Sequence, residues 1–253
     1  MKRIALIGVT GINWWKSDKK QRFVQALAPE GYEIANFFCN YGTHSVESHA
    51  DEAYNSPFIL EQVVAASSQG FDGMVLDCAC DPVLGAAREV TSVPVVGPMQ
   101  ASLHLALALG RKFGIITVEG ASLAKCMESK VRSEGLDAFF VDSRAIEVPV
   151  LQIAQKQREA EDDLIESSKL LISEGADVIV LGCTALSHEV DLERIMTATN
   201  VPVIDPLVIG IGTVVMLIES NLSHSKVAYP TPPRKPIVEA PCLKESFDDI
   251  LRE

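Results

Sequence analysis

Aromatic residues make up only 6% of the chain, and Lys plus Arg number 22 against 34 Asp plus Glu. The formal net charge of −12 has the wrong sign for counterion-release binding, so neither nucleic acid nor an anionic membrane surface is expected as a partner. A bilayer span needs roughly 20 apolar residues. The longest such run, Leu207 to Ile218, covers 12 and reads as a buried helix. The opening MKRIALIGVTG has too short an apolar stretch for a secretion signal. The six cysteines are scattered without a secretory context, so free thiols in a reducing, cytoplasmic setting are expected rather than disulfides. Phosphate-cradling patterns are missing too: no GxxxxGK[ST] occurs, and Gly210-Ile-Gly212 lacks a third glycine. A Gly-x-Ser-x-Gly elbow is also absent, which argues against a serine hydrolase. Cys78-Ala-Cys80 has no second pair or suitably spaced histidine after it, so no metal is expected.

What is present is 253 residues, 47% of them apolar, enough for one large or two small domains with a substantial core. Short β-branched runs alternate with amphipathic stretches, which predicts βα units and mostly parallel sheets. Strands are predicted at 3–9, 32–38, 73–77, 93–97, 112–118, 137–142, 177–182 and 201–205. Helices are predicted near 19–28, 57–69, 82–91, 99–110, 120–134, 151–174, 188–198 and 206–219.

An internal repeat organises these elements. DGMVLDC at 72–78 matches DVIVLGC at 177–183, VPVVGP at 93–98 matches VPVIDP at 201–206, and KRIALIGV at 2–9 matches RKFGIITV at 111–118. The three pairs recur in one order at similar spacing. The fold expected is therefore α/β, with two similar lobes at 1–98 and 99–205 related by a pseudo-twofold, and the active site in the cleft between them. The segment 206–222 is a candidate to pack back on the first lobe. Residues 223–253 hold five of the 13 prolines and read as a surface tail, with a short helix in ESFDDILRE.

Ligands of parallel sheets bind at the carboxyl ends of strands. Cys78 and Cys183 are both predicted there, before helices whose dipole and free N–H groups would lower a thiol pKa. One thiol on each side of a cleft suits removal of a proton from one face of a carbon and its return to the other. Thr10, Gly11 and Asn13 after the first strand, and Thr117, Val118 and Glu119 after its repeat, are candidates for binding a carboxylate or carbonyl oxygen through backbone N–H groups. Ala79, Cys80 and Thr184 beside the cysteines complete the candidate substrate-binding set. Asp77 and Asp81 would raise the Cys78 pKa if close. Asp81-Pro82 reads as a helix start with Asp81 as the cap. Trp14 and Trp15 read as pocket wall or loop packing, and His104 as core or interface. His188 reads as core or as a proton partner of Cys183. Cys39, Cys126 and Cys242 have no repeat partner and read as structural.

The stretch from Asp72 to Val118, with Cys78-Ala-Cys-Asp81-Pro82 and then SVPVVGPMQASLHLALALGRKFGIITV, resembles the hydantoin racemase branch of the Asp/Glu/hydantoin racemase superfamily. ADVIVLGCT is similar to that superfamily's second cysteine motif. Two features differ from that branch. Gly8-Val9-Thr10-Gly11 stands where the branch usually shows Asn-Pro-Asn, and Thr184-Ala185 is closer to the amino-acid racemases. The resemblance implies a cofactor-independent racemase or epimerase in which Cys78 and Cys183 act as paired acid and base. Its substrate would be a small molecule with an acidic C–H beside a carbonyl: a 5-substituted hydantoin, allantoin or an amino acid. The alternatives are a maleate-type cis–trans isomerase and a non-catalytic ligand-binding protein of the same fold. A homo-oligomer is expected.

Overall fold

The structure, a computed structural model, describes residues 1–11 and 18–233. Its strands form two four-stranded sheets. The first contains β1 (Lys2–Gly11), β2 (Tyr32–Cys39), β3 (Gly73–Leu76) and β4 (Val95–Val96) in the order β2-β1-β3-β4. The second contains β5 (Phe113–Thr117), β6 (Phe140–Ala145), β7 (Val178–Leu181) and β8 (Val203–Ile204) in the order β6-β5-β7-β8. Every pairing is parallel. Parallel sheets are covered on both faces, so their central strands must be apolar throughout. β3, β5 and β7 are accordingly buried along their whole length.

The helices are α1 (Asp18–Ala26), α2 (His49–Ser68), α3 (Leu84–Val90), α4 (Pro98–Leu109), α5 (Ala121–Ser133), α6 (Gln157–Ser173), α7 (Leu192–Thr199) and α8 (Pro206–Glu219). Among the described residues no helix is long and apolar enough to cross a membrane.

The sequence repeat recurs down to single hydrogen bonds. The Asp72 carboxylate accepts from the Arg3 N–H at 2.7 Å, and Asp177 accepts from the Arg111 and Lys112 N–H groups at 2.9 Å in the other sheet. At the opposite strand ends, the Asp77 N–H donates to Ile7 at 2.8 Å and the Gly182 N–H to Ile116 at 2.7 Å. Cys78 and Cys183 follow at once, on equivalent strand ends.

Two helices cross between the halves. α8 buries Leu207, Ile211 and Val214 against Ile4, Leu6, Val75 and Val96 of the first sheet. α4, which leaves that same sheet, instead buries Met99, Leu103 and Ala106 in the core around β5 and β7. The two helices also pack against each other.

The structure corrects several expected boundaries. α2 begins at His49 rather than 57, because Ser48 accepts from the Asp51 N–H and sets the start two turns before Pro57. Burial of Ile59, Val63 and Ala66 holds the helix through the proline, whose missing N–H removes one bond. The strand expected at 137–142 is β6 at Phe140–Ala145, preceded by a 3-10 turn over Asp137–Phe139. The helix expected from 151 starts at Gln157 after a 3-10 turn at Val150–Gln152.

Asp81 is not the cap of the helix that follows it. α3 starts at Leu84, and the buried Asp81 carboxylate caps α4 instead, accepting from the Met99 N–H at 3.0 Å and the Gln100 N–H at 2.8 Å. Lys130 of α5 lies 3.4 Å away. Gly97, at the start of α4, leaves the room this requires, since a Cβ there would come within 2.6 Å of the Asp81 Cγ. In the other half the cap is local: Asp205 accepts from Leu207 at 2.8 Å and from the Ser187 hydroxyl at 2.6 Å. Burial raises both carboxyl pKa values against these donors.

The first part of the tail is anchored on the first lobe. The His224 Nε2 accepts from the Val95 N–H at 2.9 Å, and the Lys226 ammonium donates to the carbonyls of Arg88 (2.8 Å) and Thr91 (2.7 Å) at the end of α3. Cys242 and the short helix expected in ESFDDILRE lie outside the described residues.

Candidate active site

Asp77-Cys78 directly follows β3 and Gly182-Cys183 directly follows β7, and both cysteines line one cavity between the lobes. The first lobe contributes Val9, Thr10, Ser45, Val46, Ala79 and Cys80, and the second Val118, Leu123, Val150, Thr184 and Ala185. Cys78, Cys183, Thr10, Ala79, Cys80, Val118 and Thr184 thus come together from the residues expected at the site.

Gly11, Thr117 and Glu119 do not line the cavity. The Gly11 N–H donates to Thr43 and the Glu119 N–H to Val148, so both donors are already engaged in loop contacts. Thr117 is fully buried and its hydroxyl donates to the Gly182 carbonyl at 3.1 Å, a bond that braces the second cysteine's strand end. Asn13, Trp14 and Trp15 lie outside the described residues. His104 is exposed on α4 with its Nε2 3.2 Å from Glu134, not in the core. Sequence reasoning missed Ser45 and Val46, which belong to a loop without motif, and Leu123 and Val150, which look like ordinary core residues.

A bridge joins the two cysteine loops. The Thr184 hydroxyl, from the residue after Cys183, donates to the carbonyl of Asp77, the residue before Cys78, at 3.2 Å. This fixes one strand end against the other, so the sulfurs are positioned by backbone rather than by flexible side chains.

The two thiols have different surroundings. Cys78 accepts from the Cys80 N–H at 3.4 Å. Cys183 is pushed up to about 12, first by burial, with the charges of Cys78 and Asp77 adding, against the lowering effect of the Ala185 and Leu186 N–H groups. The lowered pKa expected at Cys183 is therefore not found. Only a single 3-10 turn, Leu186–His188, follows it, so there is no long helix dipole to offset desolvation.

Asp77 faces a cation that the sequence concealed. The Lys20 ammonium, on α1, donates to the Asp77 carboxylate, and both side chains are buried. In KSDKKQR it resembles a solvated charged face. The pair offsets only part of the negative charge of Asp77, which still adds to the raised pKa of Cys183. His188 sits beside Lys20 and Glu189, outside the cavity lining, and burial and Lys20 together push it down to about 4. It is neutral at pH 7 and does not touch the cavity.

Alkylation provides a check. Cys39 is pushed up to about 12 by burial, and Cys80 well above its usual value by its Cys126 and Cys78 neighbours and by burial. Iodoacetamide at pH 7.5 is expected to modify Cys78 before Cys183, Cys39 or Cys80, because the thiolate is the reactive form. Peptide mass spectrometry showing Cys183 modified first would contradict this ordering.

The model of the family described as Asp/Glu/Hydantoin racemase matches residues 18–214. A hydantoin racemase of Rhizobium meliloti is 36% identical over 190 residues, 74% of this chain and 78% of that one. Among solved structures, the allantoin racemase of Klebsiella pneumoniae superposes with a TM-score of 0.83 at 28% identity, covering 94% of this chain and 97% of its own. That of Pseudomonas fluorescens gives 0.85 at 25% identity, covering 94% and 100%.

Proposed function

The chain belongs to the Asp/Glu/hydantoin racemase family and is a racemase, and we propose that its substrate is a cyclic ureide, a 5-substituted hydantoin or allantoin. The observation that carries the mechanism is that Cys78 and Cys183, from equivalent strand ends of the two lobes, line one cavity. In one direction the Cys78 thiolate removes the proton from the carbon beside the carbonyl. Cys183, kept protonated by burial, delivers a proton to the opposite face. In the other direction the roles exchange. The N–H groups of Ala79 and Thr184, the residues that follow the two cysteines in the chain, are assigned to the developing enolate oxygen, where fixed donors act most strongly. The reaction forms and breaks only C–H and S–H bonds.

The cavity's charge supports a ureide over an amino acid. Among the described residues its lining holds one charged side chain, Asp77, and that carboxylate is already paired with Lys20. Among the described lining residues a zwitterion would meet no uncommitted opposite charge for its ammonium or its carboxylate. A neutral ureide ring needs only hydrogen-bonding groups such as Thr10 and Ser45, while Val46, Leu123 and Val150 accommodate an apolar substituent.

Polarimetry on single enantiomers tests this. Chiral 5-substituted hydantoins and allantoin should lose optical rotation, while aspartate and glutamate should keep theirs. Faster racemisation of either amino acid than of every ureide would refute the substrate assignment.

A further inference from the structure

We propose that His49, Glu52 and Cys126 form a binding site for a zinc-like divalent cation that ties the two lobes together beside the cavity. A histidine and a glutamate three residues apart on α2 are by themselves ordinary helix surface. Here, however, a thiol from the other lobe joins them. The Cys126 Sγ on α5 lies 3.5 Å from the Glu52 Oε1, and the His49 Nδ1 lies 3.3 Å from the Glu52 Oε2. All three ligand atoms lie within 4.8 Å of one another.

Two of the separations, one to each Glu52 oxygen, are those of a bound metal, and the third, between His49 and Cys126, is within 4.8 Å and closes by rotation of the exposed His49 side chain. Tetrahedral zinc, with bonds of about 2.0 Å to nitrogen and oxygen and about 2.3 Å to sulfur, places its ligand atoms roughly 3.3–3.5 Å apart. Imidazole, carboxylate and thiolate together favour zinc over magnesium or calcium, which prefer oxygen ligands alone. Three protein ligands leave a fourth position for water.

The location gives the site its consequence. α2 packs on β1 and β2, and α5 on β5 and β6, so the ligands come from opposite halves of the molecule. Ser45 and Val46, just before α2, and Leu123, one turn before Cys126 on α5, line the cavity. A cation here therefore bridges two segments that also form the cavity wall. On binding, Cys126 gives up its proton to solvent and ligates as thiolate.

Cobalt(II) is the probe, because thiolate-to-cobalt charge transfer in the near ultraviolet reports a cysteine ligand directly. The full-length protein should bind one cobalt per chain with this band, and a C78A/C183A variant should keep it, which separates the site from the cavity thiols. C126S should lose the band. H49Q changes an exposed side chain and leaves the fold intact, as checked by circular dichroism. It should weaken cobalt affinity at least about tenfold, the low end of the cost even of outer-shell changes. The proposal is overturned by an unchanged affinity in H49Q, by a band that survives C126S, by a band that disappears in C78A/C183A, or by no saturable binding below about 1 mM.

Discussion

Replacing either Cys78 or Cys183 by Ser is expected to lower racemisation by at least about 10³-fold, within the range that a positioned general acid or base contributes. A hydroxyl has far too high a pKa to serve as base at neutral pH. The single variants should still exchange the substrate proton with D₂O, each from the enantiomer that faces its surviving thiol, so their preferences should be opposite. They should also differ in rate. C183S keeps Cys78 as its base, whereas C78S relies on Cys183, whose thiol burial pushes up to about 12. Proton exchange followed by NMR for each enantiomer gives all four rates. Racemisation by either variant within about tenfold of the parent, about 1.4 kcal/mol in barrier, would show that the replaced thiol is not a catalytic acid or base.

The second large effect concerns Lys20. It is 3% exposed and Asp77 8% exposed, so Lys20→Met leaves a carboxylate buried without its cation. Breaking a buried pair from one side costs on the order of 3–5 kcal/mol. The double variant K20M/D77N removes the stranded charge and should recover more than half of that loss. Urea unfolding at pH 8 measures both. A K20M variant within about 1 kcal/mol of the parent would mean that the pair is solvated in solution, with little electrostatic consequence for the neighbouring thiols.

Much of this architecture is legible in the chain because it is written twice. Asp72 to Cys78 and Asp177 to Cys183 repeat both the residues and the bonds they make, so aligning them finds the equivalent strand ends and the two thiols. Local reasoning fails where a residue acts at a distance. Asp81-Pro82 has every mark of a cap for the next helix, yet its carboxylate serves the first turn of α4, 18 residues on. Lys20 lies in a basic run whose pattern suggests solvent, and only α1 packed beside the end of β3 makes it a buried partner. Pro57 reads as a helix start because nothing local reveals the tertiary burial that carries α2 through it. Thr117 occupies the expected place at the end of β5, but its hydroxyl is used within the scaffold. Ser45 and Val46 carry no signal, since a cavity wall built from a loop has no periodicity to detect.

The crossing of α4 and α8 governs the order in which the molecule can be completed. As the chain emerges during synthesis, Ile4, Leu6, Val75 and Val96 have only the partial cover of Val24, Phe23 and Leu27 from α1 until Leu207, Ile211 and Val214 arrive near the end. One face of the first half's sheet is therefore only partly covered until the second half is made. A polypeptide cut near Gly110 yields two fragments, each carrying the helix that completes the other. Neither fragment is expected to fold alone, and mixing the two is expected to restore the fold.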